Sequence, residues 1–209
     1  LIDKKQIQEE IRQQYSNHKD FEEILKDFSY DINLSKWAYL FATQKFETNH
    51  ELSRKVFHYA LASSKDFRDY LDFAFYISKE DGLCDNTLAK EAYKLAITKA
   101  TLLRDIRYVA DILSTKDNSF RDENMAKSVY KDAIAQSKTA YDFVAIAESL
   151  CDKNMLNDKD FAKEVYELAI KACENSDELE AVAESVAQED NLFDEKWAAK
   201  IFSMSTLSK

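Results

Sequence analysis

Ala89-Lys90-Glu91-Ala92-Tyr93-Lys94-Leu95-Ala96-Ile97 recurs as Ala126-Lys127-Ser128-Val129-Tyr130-Lys131-Asp132-Ala133-Ile134. It recurs again as Ala162-Lys163-Glu164-Val165-Tyr166-Glu167-Leu168-Ala169-Ile170. The common pattern, A-K-x-(A/V)-Y-x-x-A-I, sets small and aromatic residues three or four apart, on one face of a helix. Two weaker copies flank it: Ser53-Arg54-Lys55-Val56-Phe57-His58-Tyr59-Ala60-Leu61 and Ala198-Ala199-Lys200-Ile201-Phe202. The five copies begin at 53, 89, 126, 162 and 198, with spacings of 36, 37, 36 and 36 residues. A fixed period of this size marks a stacked-repeat architecture, in which each unit buries its apolar face only against its neighbours.

Outward from this motif the rest of a repeat can be read. Four residues before each copy stands Asn49, Asp85, Asp122, Asp158 or Asp194, a short acceptor side chain suited to the orphan amides of a first helical turn. One residue before each copy is a large apolar residue: Leu52, Leu88, Met125, Phe161 and Trp197. A second helix precedes each of these. Its marker is an alanine at 38, 74, 110, 147 and 183, with apolar residues at −4, −1 and +3, a helical stripe. Between the two helices lie Gly82, Asn118, Asn154 and Asn191, residue types that tolerate the left-handed conformation and are expected to use it there. At the N-terminus, residues about 2–15 (Ile2, Ile7, Ile11, Tyr15) and Phe21, Ile24, Leu25 and Phe28 predict two further helices, broken at Ser16-Asn17. The expectation is a single all-α domain over 1–209: a degenerate N-terminal helix pair in 1–30, then five repeats over 31–206. That makes about twelve helices in six antiparallel pairs.

Composition agrees. The 209 residues include one glycine and no proline, where an average chain would have roughly 15 and 10. Glycine-rich phosphate loops and turn-rich β folds are excluded. With 29 basic and 39 acidic residues the net charge is −10, which disfavours nucleic acid and anionic membrane surfaces as partners. The longest apolar runs are five residues, such as Phe73-Ala74-Phe75-Tyr76-Ile77, where a membrane span needs about 20. The first residues carry no apolar signal-peptide core. Cys84, Cys151 and Cys173 form no C-x-x-C pair and read as reduced thiols, so a cytoplasmic location is expected.

The Ala-x3-aromatic-x2-Ala signature resembles the tetratricopeptide family. It is met by Ala89/Tyr93/Ala96, Ala126/Tyr130/Ala133 and Ala162/Tyr166/Ala169, nearly by Ser53/Phe57/Ala60 and in part by Ala198/Phe202/Ser205. The likeness covers about residues 31–205. It differs in having a period near 36 rather than 34, no closing proline, and alanine in place of the first-helix glycine. The resemblance implies a right-handed α-α superhelix with a buried ladder of Phe57, Tyr93, Tyr130, Tyr166 and Phe202. It also implies a concave face lined by the first helices. On that face the residue after each marker alanine would bind a partner: Tyr39, Phe75, Asp111, Glu148 and Glu184. Ala42, Ser78, Ser114, Cys151 and Ala187 would follow along it.

No chemistry is signalled. His18, His50 and His58 match no metal-ligand spacing, there is no nucleophile elbow, and the recurrent aspartates are accounted for by capping. No catalytic residue, cofactor or metal is expected. The leading reading is a non-enzymatic scaffold that binds a protein or peptide, whose partner has an apolar part and a basic part. Arg104 and Arg107 are the only nearby basic pair, too few for capture of a terminal carboxylate. Two alternatives stand beside it. One is a structural segment that self-associates through the last helix, where Trp197, Ile201, Phe202 and Met204 present apolar surface. The other is an enzyme with an unfamiliar site.

Overall fold

The structure, a computed structural model, describes residues 3–43 and 48–207. Ile2, expected to open the first helix, and the last two residues lie outside them. The described residues form twelve helices and no strand. The chain divides into two compact units, 1–99 and 100–209. Unit 1 holds α1 (Lys4–Tyr15), α2 (Phe21–Tyr30), α3 (Leu34–Ala42), α4 (His50–Ser63), α5 (Phe67–Ser78) and α6 (Asn86–Lys99). Unit 2 holds α7 (Leu103–Ser114), α8 (Glu123–Gln136), α9 (Ala140–Cys151), α10 (Lys159–Ala172), α11 (Ser176–Ala187) and α12 (Glu195–Leu207). Each unit is a solenoid-like stack of three helix pairs. Partners within a pair pack most extensively in all but the first pair, where α1 packs on α4 as much as on α2; first helices touch across pairs, α3 on α5 and α9 on α11.

One local construction closes all five repeats. The N-cap side chain of each second helix accepts the amide three residues on: Asn49 from Leu52, Asp85 from Leu88, Asp122 from Met125, Asp158 from Phe161 and Asp194 from Trp197, at 2.9 to 3.1 Å. The cap's own amide donates back to a carbonyl near the end of the first helix. The pairs are Asn49 to Phe41, Asp85 to Ile77, Asp122 to Leu113, Asp158 to Leu150 and Asp194 to Val186. Four of these closures span eight residues and the Asp122–Leu113 closure spans nine, which locates the extra residue of the 37-residue spacing in the α7–α8 turn.

The left-handed residue of the turn is not where the glycine and asparagines stand. Positive φ occurs at Thr48, Cys84, Asn157 and Phe193, each directly before a cap, and Gly82 has no positive φ. Asn118 and Asn191 serve through their side chains instead. Each Nδ2 donates to the carbonyl six residues earlier, Ile112 and Ser185, satisfying a helix-end acceptor. Gly82 is needed for close approach: a Cβ there would lie 2.9 Å from the Tyr39 ring.

Phe57, Tyr93, Tyr130 and Tyr166 are completely buried, each contributing about 2 kcal/mol by burial. Phe202, expected to complete the ladder, is 48% exposed. Within the units α4, α8 and α10 are each followed by a packed first helix, α5, α9 and α11 respectively, whereas Phe202 sits on α12, the last described helix. In unit 1, Asp27 is buried and accepts the Trp37 indole N–H (2.8 Å) and the Asn33 amide (3.0 Å), tying α2 to α3.

Candidate functional site

The marker-plus-one residues fare differently in the two units. In unit 1, Tyr39 and Phe75 meet in an aromatic cluster with Tyr76. Tyr76 lies 5.4 Å from Tyr39 and 5.3 Å from Phe75 between ring centroids. The Lys79 ammonium sits over all three rings at 4.8 to 5.9 Å, a cation–π arrangement. The Tyr39 hydroxyl donates to Asp81, and the ring lies against Gly82. Burial first, then the Asp81 carboxylate, push the Tyr39 phenol up to about 12. These side chains already have partners among themselves.

In unit 2 the ladder reaches the same first-helix position. The Tyr130 hydroxyl donates to Asp111 at 2.6 Å. One repeat on, Tyr166 is joined to Ser185 at 2.7 Å, and the Ser185 hydroxyl donates to Glu148 at 2.7 Å. Asn191 Nδ2 donates to the same Ser185 Oγ at 3.2 Å. Ser185, Tyr166 and Asn191 are all buried, so the Glu148 carboxylate is oriented from behind. Burial raises the Asp111 carboxyl above its ordinary range, against hydrogen bonds from Tyr130 and Ser149 and the nearby Arg107 charge.

Two clefts open on this face. One, of about 490 Å³, is walled by Leu102, Leu103, Arg104 and Arg107 at the start of α7 and by Tyr141, Asp142, Ala145 and Ile146 of α9. The other, of about 580 Å³, runs between Arg107, Ala145, Glu148 and Ser149, the α9–α10 turn from Asp152 to Met155, and Gln188, Asp190 and Asn191 after α11. They share Arg107 and Ala145, so they form one groove along α9. The turn that makes its rim is held in place: Lys116 N–H donates to the Asn154 carbonyl at 2.8 Å and Arg121 Nη2 to the Met155 carbonyl at 3.3 Å. Arg107 Nε, at the waist, is buried without a hydrogen-bond partner, alone in this among the described side-chain nitrogens and oxygens.

Of the expected site residues, Glu148 lines the groove and Asp111 lies beside Arg107. Glu184 is exposed on α11 and lines neither cleft. Of the residues expected further along this face, Ala42, Ser78, Ser114 and Cys151 are buried and Ala187 is half-buried, with Ser78 and Ser114 hydroxyls donating to the carbonyls of Phe75 and Asp111. Burial pushes the Cys151 thiol up to about 11. Cys84, Cys151 and Cys173 are all free thiols. His50 and His58 share α4 and are exposed. Among the described residues no group of three or more His, Cys, Asp or Glu could hold a metal, and no helix is long and apolar enough to cross a membrane.

No protein-family model, curated protein or solved structure matches the chain.

Proposed function

We propose that this chain is a non-enzymatic, tetratricopeptide-like repeat module of the cytoplasm that holds a segment of another protein, and that the α7–α9–α11 groove of unit 2 is its binding surface. The observation supporting this reading is Arg107. Arg107 lines both clefts, while its Nε is closed off without an acceptor, which costs about 1–3 kcal/mol. Turned outward, the guanidinium would donate to the backbone carbonyl of a segment bound in the groove. The test is selection of random dodecapeptides displayed on phage against the purified chain. The reading expects enriched peptides whose binding is lost in Arg107→Glu while helical circular dichroism is retained. Failure to enrich any peptide, or binding indifferent to Arg107 substitution, overturns it.

A second reading, assembly through α12, is favoured by Phe202. Its counterparts in the first four repeats are wholly buried, so Phe202, with Phe193 and Met204 also exposed, offers an apolar surface for another helix pair. Sedimentation velocity from low to high micromolar distinguishes this reading. It requires association that Phe202→Lys abolishes, and a strict monomer excludes it.

A further inference from the structure

The groove is divided chemically, and the division specifies what can occupy it. At the α7 start, Leu102 and Tyr141 are 52% and 56% exposed and face the same cleft. Such side chains hold an apolar anchor by burial. At the other end the charges do not cancel. Lys153 lies 3.6 Å from Asp190, and Arg107 faces Asp111. Among the described residues this leaves Glu148 and Asp152 in no ion pair with a basic side chain.

The placement of these two is unfavourable for the free protein. They are one turn apart, the like-charge spacing that destabilises a helix. They also stand at the C-terminal end of α9, where the helix dipole already presents partial negative charge. Asp152 accepts the Asn154 amide at 2.7 Å and Glu148 is held by the buried Ser185–Tyr166–Asn191 network, but neither bond neutralises the charge. A cation at that end would relieve both terms. The background field acts in the same sense: residues 100–209 carry 14 basic and 22 acidic side chains, a net charge of −8.

From these observations, and resting on the binding reading above, we propose that the unit 2 groove takes an extended peptide segment bearing an apolar residue and a lysine or arginine about three to five positions apart. The apolar side chain seats on Leu102 and Tyr141, the basic one lies between Glu148 and Asp152, and a backbone carbonyl between them accepts from the Arg107 guanidinium. The spacing follows from geometry. Along α9, Tyr141 lies about 10 Å from Glu148 and about 16 Å from Asp152 at 1.5 Å per residue, which extended chain covers in about three to five residues.

Fluorescence anisotropy with defined nonapeptides tests this. Each carries a fluorescein label and a Gly/Ser/Ala background, with Leu and Lys three, four or five positions apart in either order. Matched sets have Gln or Glu for Lys, and Ser for Leu. The expected result is that the best Leu/Lys peptide binds at least about tenfold more tightly than its Glu counterpart. Its advantage over Gln should disappear in the isosteric double variant Glu148→Gln/Asp152→Asn. Leu102→Ser with Tyr141→Ser, both on exposed surface, should weaken Leu peptides and leave Ser peptides unchanged. Binding with no preference for Lys, or a preference that survives the double variant, overturns this inference and leaves the groove reading standing. Absence of binding by every peptide, together with failed phage selection, overturns the groove reading itself.

Discussion

Gly82 shows how a single residue answers to a contact far away in sequence. Its backbone does not require glycine, since φ is not positive. The Tyr39 ring does, because a Cβ would meet Cδ2 at 2.9 Å and Cε2 at 3.2 Å. Forcing the ring off costs about 1–3 kcal/mol as overpacking. Against that, alanine lowers unfolded-chain entropy, worth about 0.4–1 kcal/mol in the opposite sense. Gly82→Ala is therefore expected to destabilise by about 1 kcal/mol in urea unfolding. In a Tyr39→Ala background the same substitution should stabilise, by about 0.5 kcal/mol. Equal effects in the two backgrounds would exclude the close approach as the reason for glycine. The phenols make a second prediction. Tyr39 and Tyr59 are pushed up to about 12, by burial first and then by Asp81 and Asp31, and Tyr130 and Tyr166 are raised as well, mainly by burial. A proton held more tightly in the folded state stabilises it fully below the unfolded value near 10, and that stability is lost as pH rises through the folded value. The urea midpoint should fall steadily from pH 10 to 12, with Tyr39→Phe and Tyr59→Phe together flattening the fall. A midpoint constant across that window would contradict the assignment.

At the scale of helices and turns, capping was legible because its signal is local. An acid or amide four residues before each copy of the motif has one effective use there, and all five make the bond. Asp158 does more: it accepts from Lys127 Nζ at 2.7 Å, and that bond first, with the Phe161 amide, holds its carboxyl below the usual range. Asp158→Ala should cost about 1 kcal/mol for the cap and a few tenths more for the half-exposed ion pair. Asp194→Ala should lose the cap alone. Thermal melts should show the excess for Asp158→Ala shrinking in 0.5 M salt or in Lys127→Met; an excess unaffected by both rules out the pair. A carboxyl held low contributes stability above its unfolded value, lost on acidification through the folded one. What was not legible depends on contacts between elements. The left-handed turn positions fall on Thr48, Cys84, Asn157 and Phe193, of which only asparagine advertises the conformation. The asparagines at 118 and 191 were found, but their use as carbonyl caps needs the helix end six residues back to be in reach. The groove was half legible. Glu148 follows from the marker alanine, whereas Arg107, Leu102, Tyr141 and Asp152 share no repeat position, and nothing in their local sequence says that Arg107 Nε ends buried without an acceptor.

At the scale of the whole chain, the distribution of charge matters more than its total. Of the net charge of −10, residues 1–99 carry −2, from 15 basic and 17 acidic side chains, and residues 100–209 carry −8. The two units therefore have different electrostatic terms in their stability. Self-repulsion in a compact body scales with the square of its net charge, so it is a minor cost in unit 1 and a substantial one in unit 2. Salt screens it: the Debye length is about 30 Å at 0.01 M and about 10 Å at 0.1 M, from longer than a helix to well under its length. A repeat stack opens in parts, so local opening can be measured unit by unit. Amide hydrogen exchange followed by mass spectrometry at 0.01 M and 0.3 M sodium chloride should show peptides of 100–209 becoming markedly more protected at the higher salt. Peptides of 3–43 and 48–99 should change little. Within unit 2 the gain should be greatest around α9 and its turn to α10, where Glu148 and Asp152 oppose the helix dipole and, among the described residues, join no ion pair. A basic peptide seated in the groove should produce the same local protection at 0.01 M, because it supplies at one point the positive charge that salt supplies diffusely. Equal salt responses in the two units would show that charge segregation has no energetic weight, and with it would go the long-range part of the preference for a basic partner.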